Sequence, residues 1–382
     1  MPPAPYTIHV PDDAIADLKE RLARTRWPGE IAGSGWEYGA NLAYVQELCS
    51  YWLNDFDWRA QEARLNAMSQ FSTDLDGYAL HYVHEHGLGP DPLPLIFSHG
   101  WPGSIFEVSK ILGPLTDPAA HGGDPADAFS VVAPSLPGYG FSQLPDFPGF
   151  GKANHTADLW ARLMAGLGYD RYGAQGGDWG AGISARLAHR HRNHVVGAHL
   201  NMIAVAPPRA ERTPQSPEEE AFLKSRRVWD REEAGYQKIQ GTKPQTLAYG
   251  LTDSPAGLAG WIVEKFRSWS DCHGDVETRF SKDELLTNIS IYWFSGTINT
   301  SMHRYQASAH DPEAQLDERI ETPMGFAIFP AEIGIDPPPR SWVERACNVV
   351  HWSEFDRGGH FAALEEPELL VQDIRDFFRP LR

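Results

Sequence analysis

The sequence predicts an α/β protein with a largely parallel central sheet. From about residue 70 to 205, short apolar segments alternate with helical ones, which is the pattern of strands joined by crossover helices. Between about 206 and 318, proline-rich polar sequence and helical periodicity replace this alternation, and it resumes afterwards. The 382 residues, 42% of them hydrophobic, are enough for one large core with an insert. We therefore expect four segments: an N-terminal helical extension (1–65), a first part of the core (66–205), a helical cap (206–318) and a second part of the core (319–382).

Composition and charge exclude several classes of partner. The chain has 33 Lys and Arg residues against 51 Asp and Glu residues, a formal net charge of −18. Such a surface repels nucleic acid phosphates and anionic membranes, so we expect neither as a partner. No apolar stretch is long enough to span a bilayer, and residues 1–10 lack the features of a secretory signal. Three separated cysteines, Cys49, Cys272 and Cys347, suit buried thiols in a reducing compartment, so we expect a soluble, cytoplasmic protein.

The individual elements follow from apolar spacing. In the extension, residues 14–24 and 41–53 have helical periodicity and one apolar side each, which must lie on a larger body. Short apolar segments predict the core strands, at residues 78–84 (after the turn Asp76-Gly77), 93–98, 129–134, 169–175, 195–202, 325–329 and 348–352. The predicted core helices lie at residues 105–115, 157–166, 181–192 and 366–378. The insert has helical candidates at residues 258–268 and 284–297 and no convincing strand.

The chain is organised around the stretch Gly176-Gly177-Asp178-Trp179-Gly180. This turn separates a predicted strand from a predicted helix, which is the context of a nucleophile elbow. Glycines in such a turn let the strand and the helix approach closely. The central residue is an aspartate, whose carboxylate can attack a saturated carbon and form an alkyl ester. The alternative is a glycine-rich turn that carries a solvated aspartate.

An aspartate nucleophile needs a base for the second step and an acid that orients the base. In enzymes with a nucleophile elbow, the acid and the histidine follow the nucleophile along the chain. His360, in Arg357-Gly358-Gly359-His360-Phe361, follows a late strand and is the candidate base, although a surface loop histidine is the alternative. Glu332, just after the strand at 325–329, is the candidate acid, with Asp336 and Asp356 as rivals.

A second group of histidines comprises His81, His84 and His86. Their order does not match that of a zinc-binding protease motif, and they fall on a predicted strand. We therefore interpret them as a solvated strand edge and expect no metal site.

The oxyanion donors are suggested by the turn from His99 to Ser104, directly after the strand at 93–98. A turn of glycine and proline there can expose the backbone N–H of Trp101. The residue after the nucleophile, Trp179, would supply the second donor. The alternative is a Gly/Pro turn, with a cis proline, that has no catalytic task.

Three of these motifs together resemble the signatures of α/β-hydrolase-fold epoxide hydrolases. They are His99-Gly-Trp-Pro-Gly-Ser, Gly177-Asp-Trp-Gly and the run from Gly358 to Glu368. The branch that contains the microsomal and juvenile-hormone epoxide hydrolases is the most similar, since its N-terminal domain resembles the extension here, with Trp27-Pro28 closing the first helix. The resemblance covers nearly the whole chain. It implies an α/β-hydrolase fold with a helical cap, and Asp178 as nucleophile, His360 as base and Glu332 as acid.

The resemblance also singles out two tyrosines of the cap, Tyr236 and Tyr305, which would hold the epoxide oxygen. From the residues alone, each is more readily explained as a core tyrosine. The implied reaction converts a small-molecule epoxide and water to a vicinal diol through an ester on Asp178, without a cofactor or a metal. The membrane-anchoring segment of some relatives is missing, so a soluble member is expected. Whether the chain forms a homodimer is left open.

Two other functions remain at this stage. A dehalogenase would use the same aspartate elbow and histidine, but with halide donors in place of the tyrosine pair. A non-catalytic ligand-binding protein of this fold would be expected to lack Asp178, His360 or Glu332, and all three are present. An esterase is disfavoured because position 178 is neither serine nor cysteine.

Overall fold

The computed structural model describes residues 3–75, 77–145 and 147–382. Met1, part of the segment considered for a secretory signal, and Asp76, of the predicted turn, lie outside these ranges. The strands are β1 (Ala4–Pro5), β2 (Gln70–Leu75), β3 (Tyr78–Glu85), β4 (Leu93–Ser98), β5 (Phe129–Pro134), β6 (Tyr172–Gly176), β7 (Val195–Leu200), β8 (Ile320–Ile328) and β9 (Cys347–Glu354). The α-helices are α1 (Asp12–Ala23), α2 (Leu42–Asn54), α3 (Trp58–Asn66), α4 (Leu112–Thr116), α5 (Ala153–Gly166), α6 (Asp178–Arg190), α7 (Pro217–Glu232), α8 (Gly235–Thr242), α9 (Pro244–Asp253), α10 (Pro255–Ser268), α11 (Lys282–Ser295), α12 (Ile298–Ala309), α13 (Arg340–Ala346), α14 (Ala362–Glu365) and α15 (Pro367–Phe378).

The strands of the described residues form one sheet in the order β1-β2-β3-β5-β4-β6-β7-β8-β9. The pairs from β1 to β5 are antiparallel, and every pair from β5 to β9 is parallel. The predicted α/β class with a mostly parallel sheet is therefore confirmed. Ser98, the last residue of β4, pairs with Gly176, the last residue of β6, so the turns that follow these two strands lie side by side. The carboxyl ends of adjacent parallel strands are where such folds place their sites.

The strands β4 and β5 have the predicted bounds, and both are almost wholly buried. The single helix predicted at 105–115 is instead two elements, a 3-10 turn at Ile105–Lys110 followed by the separate short helix α4. Pro114 explains the break. Proline has no N–H to bond the carbonyl four residues earlier, and it is tolerated only in the first turn of a helix. A new helix therefore begins at Leu112, with Pro114 in its first turn.

The interpretation of the histidines as a solvated edge is wrong for His81 and His84. Both are buried because β3 lies inside the sheet, between β2 and β5. The ring of His81 hydrogen-bonds Ser135 and Gln70, each at 2.8 Å, and His84 bonds the hydroxyl of Tyr169 at 2.9 Å. Both ring nitrogens of His81 and Nε2 of His84 thus have protein partners. Among the described residues, no group of three or more His, Cys, Asp or Glu side chains could hold a metal ion.

The regular elements described between β7 and β8 are all helical, from α7 to α12 apart from short 3-10 turns. The predicted helices at 258–268 and 284–297 correspond to α10 and α11, whereas α7, α8, α9 and α12 had no counterpart among the predicted elements. The boundaries of the four segments stay a prediction.

The N-terminal extension packs against these helices. Arg21 of α1 contacts Asp253 of α9 at 2.6 Å, and the Tyr51 hydroxyl of α2 donates to Asp283 of α11 at 3.0 Å. The helix α3 was not predicted, although Asp57 caps its start by accepting a hydrogen bond from the Ala60 N–H at 3.2 Å. The extension therefore lies on a larger body, as its one-sided helices require.

Two further expectations concern the whole chain. The thiols of Cys49, Cys272 and Cys347 are buried and unpaired, as predicted. None of the helices in the described ranges combines the length and the apolar character needed to cross a membrane.

Candidate active site

Asp178 lies at the junction of β6 and α6, in the turn predicted to be an elbow. Its φ of +47° is in the left-handed region, which a non-glycine residue adopts only where surrounding structure imposes it. Glycines next to it make room for this turn. A Cβ on Gly180 would lie 1.9 Å from the Ser98 carbonyl oxygen, and one on Gly100 would lie 2.4 Å from Oδ1 of Asp178. The close approach of β4, β6 and α6 therefore excludes larger residues at both positions.

The two carboxylate oxygens of Asp178 have different neighbours. Oδ1 accepts a hydrogen bond from the backbone N–H of Trp101 at 2.8 Å, and the Trp179 N–H also bonds this carboxylate. Oδ2 lies 3.8 Å from Nε2 of His360. Burial raises the pKa of Asp178 above 3.8, while His360 and the two backbone N–H groups act to lower it. The peptide bond between Trp101 and Pro102 is cis.

His360 reaches the site from the loop between β9 and α14. The Ala331 N–H donates to the Gly358 carbonyl at 3.1 Å, which joins this loop to the one after β8. That bridge brings the Glu332 carboxylate into a short hydrogen bond with Nδ1 of His360, leaving Nε2 directed at Asp178. The rivals do not make this contact: Asp336 is exposed, and the Asp356 side chain is 90% exposed.

The charge state of His360 reflects this surrounding. Burial acts to lower the pKa of His360, but the charge and hydrogen bond of Glu332 and the charge of Asp178 raise it to about 9. The imidazole is therefore held as an imidazolium near neutral pH as long as Asp178 is ionised.

Tyr236, in α8, and Tyr305, in α12, face the same space from the cap. The Tyr236 ring stacks on Trp101, with centroids 5.4 Å apart and planes at 7°. The Tyr305 ring meets Trp179 edge-on at 4.8 Å. Burial raises the pKa of both phenols, so both stay protonated at neutral pH and can donate. The Tyr305 hydroxyl is buried and lies close to the side chains of Tyr236 and Trp179.

A carboxylate that sequence reasoning missed also faces the site. Burial, together with the charge of Asp178, raises the pKa of Glu107 to about 7, while His360 and the Gly100 N–H act to lower it. Its carboxylate fills the space beside Gly103, where a Cβ would lie 1.6 Å from Oε1. The motif from His99 to Ser104 marks this turn, but nothing in the sequence indicates that a residue three positions beyond the motif turns back toward Asp178.

Part of this group opens into a cavity of about 390 Å³ that also borders helices between β7 and β8. Asp178, Glu332, Tyr236 and Tyr305 all contribute to its wall. The arrangement places a carboxylate, an imidazole with its carboxylate partner, and two phenol donors around one space. It can attack an electrophilic carbon, stabilise the negative charge that develops on a departing oxygen, and activate a water molecule.

Comparison with known families gives two overlapping matches. Residues 3–108 match the family model described as epoxide hydrolase N terminus, and residues 94–252 match the one described as α/β hydrolase fold.

Whole-chain relatives agree with these matches. The chain is 38% identical to epoxide hydrolase 1 of Oryctolagus cuniculus, over 98% of this chain and 88% of the relative. It is 35% identical to juvenile hormone epoxide hydrolase 2 of Ctenocephalides felis, over 97% and 84% of the two chains. The crystal structure of juvenile hormone epoxide hydrolase from the silkworm Bombyx mori superposes with a TM-score of 0.89, at 31% identity, covering 100% of this chain and 95% of that one. The structure of Aspergillus niger epoxide hydrolase gives 0.87, at 30% identity, covering 100% and 97%.

Proposed function

This chain belongs to the epoxide hydrolase family of the α/β-hydrolase fold, and from that premise we propose that it hydrolyses small-molecule epoxides to vicinal diols through a covalent ester on Asp178. The observation that carries the proposal is the unequal surrounding of the Asp178 oxygens. Oδ1 is held by the Trp101 N–H at 2.8 Å, whereas Oδ2 lies 3.8 Å from Nε2 of His360, and Asp178 lines the cavity. An oxygen so placed is available to attack carbon.

In the first step, Oδ2 of Asp178 attacks a ring carbon and displaces the epoxide oxygen. One carbon–oxygen bond of the ring breaks as the ester bond forms, and the electron pair goes to the departing oxygen. Tyr236 and Tyr305 donate hydrogen bonds to this oxygen, and a proton from solvent converts the alkoxide to a hydroxyl on the neighbouring carbon. Phenols suit the task because burial keeps them protonated. Removing one such donor typically slows this kind of step by about 10²–10³-fold.

In the second step, Nε2 of His360 takes a proton from water, and the water oxygen attacks the ester carbonyl carbon. The N–H groups of Trp101 and Trp179 stabilise the oxyanion on Oδ1 until the diol leaves. Esterification removes the charge of Asp178, which is one of the influences that raise the pKa of His360. The imidazolium therefore loses its proton to solvent more easily at the stage when a neutral base is needed. A general base of this kind contributes about 10²–10⁴-fold to the rate.

The two alternatives are less well supported. A dehalogenase needs donors for a halide, and its reaction leaves no oxygen for a pair of protonated phenols to stabilise. A ligand-binding protein without activity would not need a histidine held between two carboxylates beside a carboxylate in an elbow. The oligomeric state stays open, and the cytoplasmic location stays a prediction.

A single turnover in ¹⁸O-water tests the covalent mechanism. With enzyme in excess over an aryl epoxide, attack by Asp178 should give mostly unlabelled diol and a heavier peptide containing Asp178. Repeated turnovers of the same sample should then label the diol, which serves as the positive control. A labelled diol and an unlabelled peptide in the first turnover would show that water attacks the epoxide directly, and the ester mechanism would be wrong.

A further inference from the structure

The cavity that holds Asp178 also contains a second charged group on the same helix. Asp178, Gly182 and Arg186 lie four residues apart on α6, so they share one face, and all three line the cavity. Arg186 is the eighth residue after the nucleophile, about 12 Å along the helix axis. None of the catalytic steps proposed above uses it.

Arg186 is a buried cation with incomplete hydrogen bonding. Arg186 is only 8% exposed. Nη1 donates to the Gly182 carbonyl at 3.0 Å, and Nη2 donates to the Ala314 carbonyl. Nε is buried and has no partner within residues 3–75, 77–145 and 147–382. The acidic group whose charge acts on it is Asp311, which is itself paired with Lys152 at 3.1 Å.

A guanidinium in this position is costly unless something pairs with it. Removing a charge from water is unfavourable unless an opposite charge and hydrogen bonds replace the lost hydration. Two backbone carbonyls use only two of the five N–H donors of an arginine. The group that best matches the remaining donors of the planar fork is a carboxylate, through charge-assisted hydrogen bonds.

We propose that Arg186 is a binding residue for a carboxylate on the substrate, so that the enzyme prefers epoxides whose apolar chain ends in a carboxylic acid. The proposal rests on the epoxide hydrolysis proposed above. The guanidinium contacts Gly182, so it lies between one and two helical turns, about 6–12 Å, from Asp178. An extended chain advances about 1.3 Å per C–C bond, and contacts of about 3 Å at each end shorten the span that it must bridge, so the carboxyl carbon would be at most roughly five bonds from the oxirane.

The rest of the cavity wall suits such a chain. Apolar side chains line it between and around the two charged groups: Met202, Ile203, Val205, Leu316, Ile333 and Ile335. Arg212 and Arg226 also line the cavity, but Arg212 donates to Pro207 and Gln315, and Arg226 lies 4.0 Å from Asp230. The net charge of −18 repels an anion at long range, but salt screens exposed charges beyond about 8–10 Å, so the nearby guanidinium decides binding.

The test uses terminal epoxides of unbranched fatty acids of graded length, each paired with its methyl ester. The measured quantity is the ratio of kcat/KM for the acid to kcat/KM for the ester, from diol formation. We expect the wild-type ratio to exceed one and to be greatest within the predicted spacing. Arg186→Met should lower this ratio by about 10–100-fold, the effect of a charge-assisted hydrogen bond, and Arg186→Lys should lower it less because the charge remains.

Arg190→Met is the matched control, because Arg190 lies one turn further along α6 and pairs with Asp158 at 2.8 Å outside the cavity. Its acid-to-ester ratio should equal that of the wild type. A wild-type ratio at or below one at every length would overturn the proposal even if Arg186→Met fails to fold. Diol formation from esters without acid preference would leave the proposed function standing. No diol from any epoxide would refute the proposed function and this inference with it.

Discussion

Replacing Glu332 by Gln tests how the site divides its work between the two chemical steps. Glutamine keeps the size of the side chain and an oxygen that can accept the Nδ1 hydrogen of His360, but it removes the charge. In the proposed mechanism His360 accepts a proton only in the second step, so that step should depend most strongly on this charge. We therefore expect Glu332→Gln to be alkylated by an epoxide and then to release diol slowly.

The size of the effect follows from the surroundings of His360. Burial acts to lower the pKa of His360, and Glu332 is the first of the neighbours that raise it to about 9. A rise from 6.5 to about 9 corresponds to roughly 3 kcal/mol in favour of the imidazolium. In the ester the charge of Asp178 is absent and Glu332 is the main group that still raises this pKa, so losing its charge should slow ester hydrolysis by about 10²-fold. Attack by Asp178 requires no proton transfer to His360 and should slow by much less.

Rapid quenching followed by intact-mass measurement reports both steps, since the ester adds one substrate mass to the protein. The variant should accumulate this species to near completion, and the rate of its decay gives the second step. Asp356→Asn is the control, because Asp356 lies in the same loop as His360 with its side chain 90% exposed. If Glu332→Gln slowed both steps equally, or accumulated no ester, the assignment of Glu332 as the partner of the base would be refuted.

Three further outcomes follow from the same geometry. His360→Gln should be alkylated once and then stop, so an unmodified protein that still binds substrate would contradict the role of His360; intact mass shows which occurs. Tyr236→Phe and Tyr305→Phe should each slow ester formation about 10²-fold in stopped-flow measurements, and the double variant should show less than the product of both effects because the phenols share one oxygen. Glu107→Gln should lower the pH midpoint of ester hydrolysis, because the charge of Glu107 raises the pKa of His360. Above that midpoint His360 is neutral and active, and below it the rate falls; an unchanged or raised midpoint in the pH profile would count against this influence of Glu107.

Much of the core could be predicted from the sequence, because buried elements have a recognisable pattern of apolar residues. β4 and β5 are covered on both faces, so they appear as continuous apolar runs with clear ends. The helices α10 and α11 were found for a similar reason, since their apolar spacing is regular. The break before α4 was missed because apolar spacing continues through it, and only the geometry of Pro114 separates the two turns.

Contacts between distant strands could not be predicted. His81 was placed on a solvated edge because its position inside the sheet depends on β1 and β2, which pair outside it. The position of Glu107 could not be predicted for the same reason, since its approach to Asp178 follows from the neighbouring positions of β4 and β6. By contrast, Asp178 and His360 could be selected because glycine-rich turns surround them in the sequence. The tyrosines needed a family resemblance, because an isolated tyrosine in a helix has no local signature.

The fixed orientation of the Asp178 carboxylate has a consequence for the origin of each oxygen atom. As long as the Trp101 N–H holds Oδ1, only the oxygen on the His360 side leaves with the product. The water that hydrolyses the ester places its own oxygen in that vacated position. Each diol therefore carries the oxygen of the water consumed in the preceding cycle, while the atom at Oδ1 is never transferred to the product. If the oxygen isotope of the solvent were changed suddenly, the isotope content of the diol would change one catalytic cycle later.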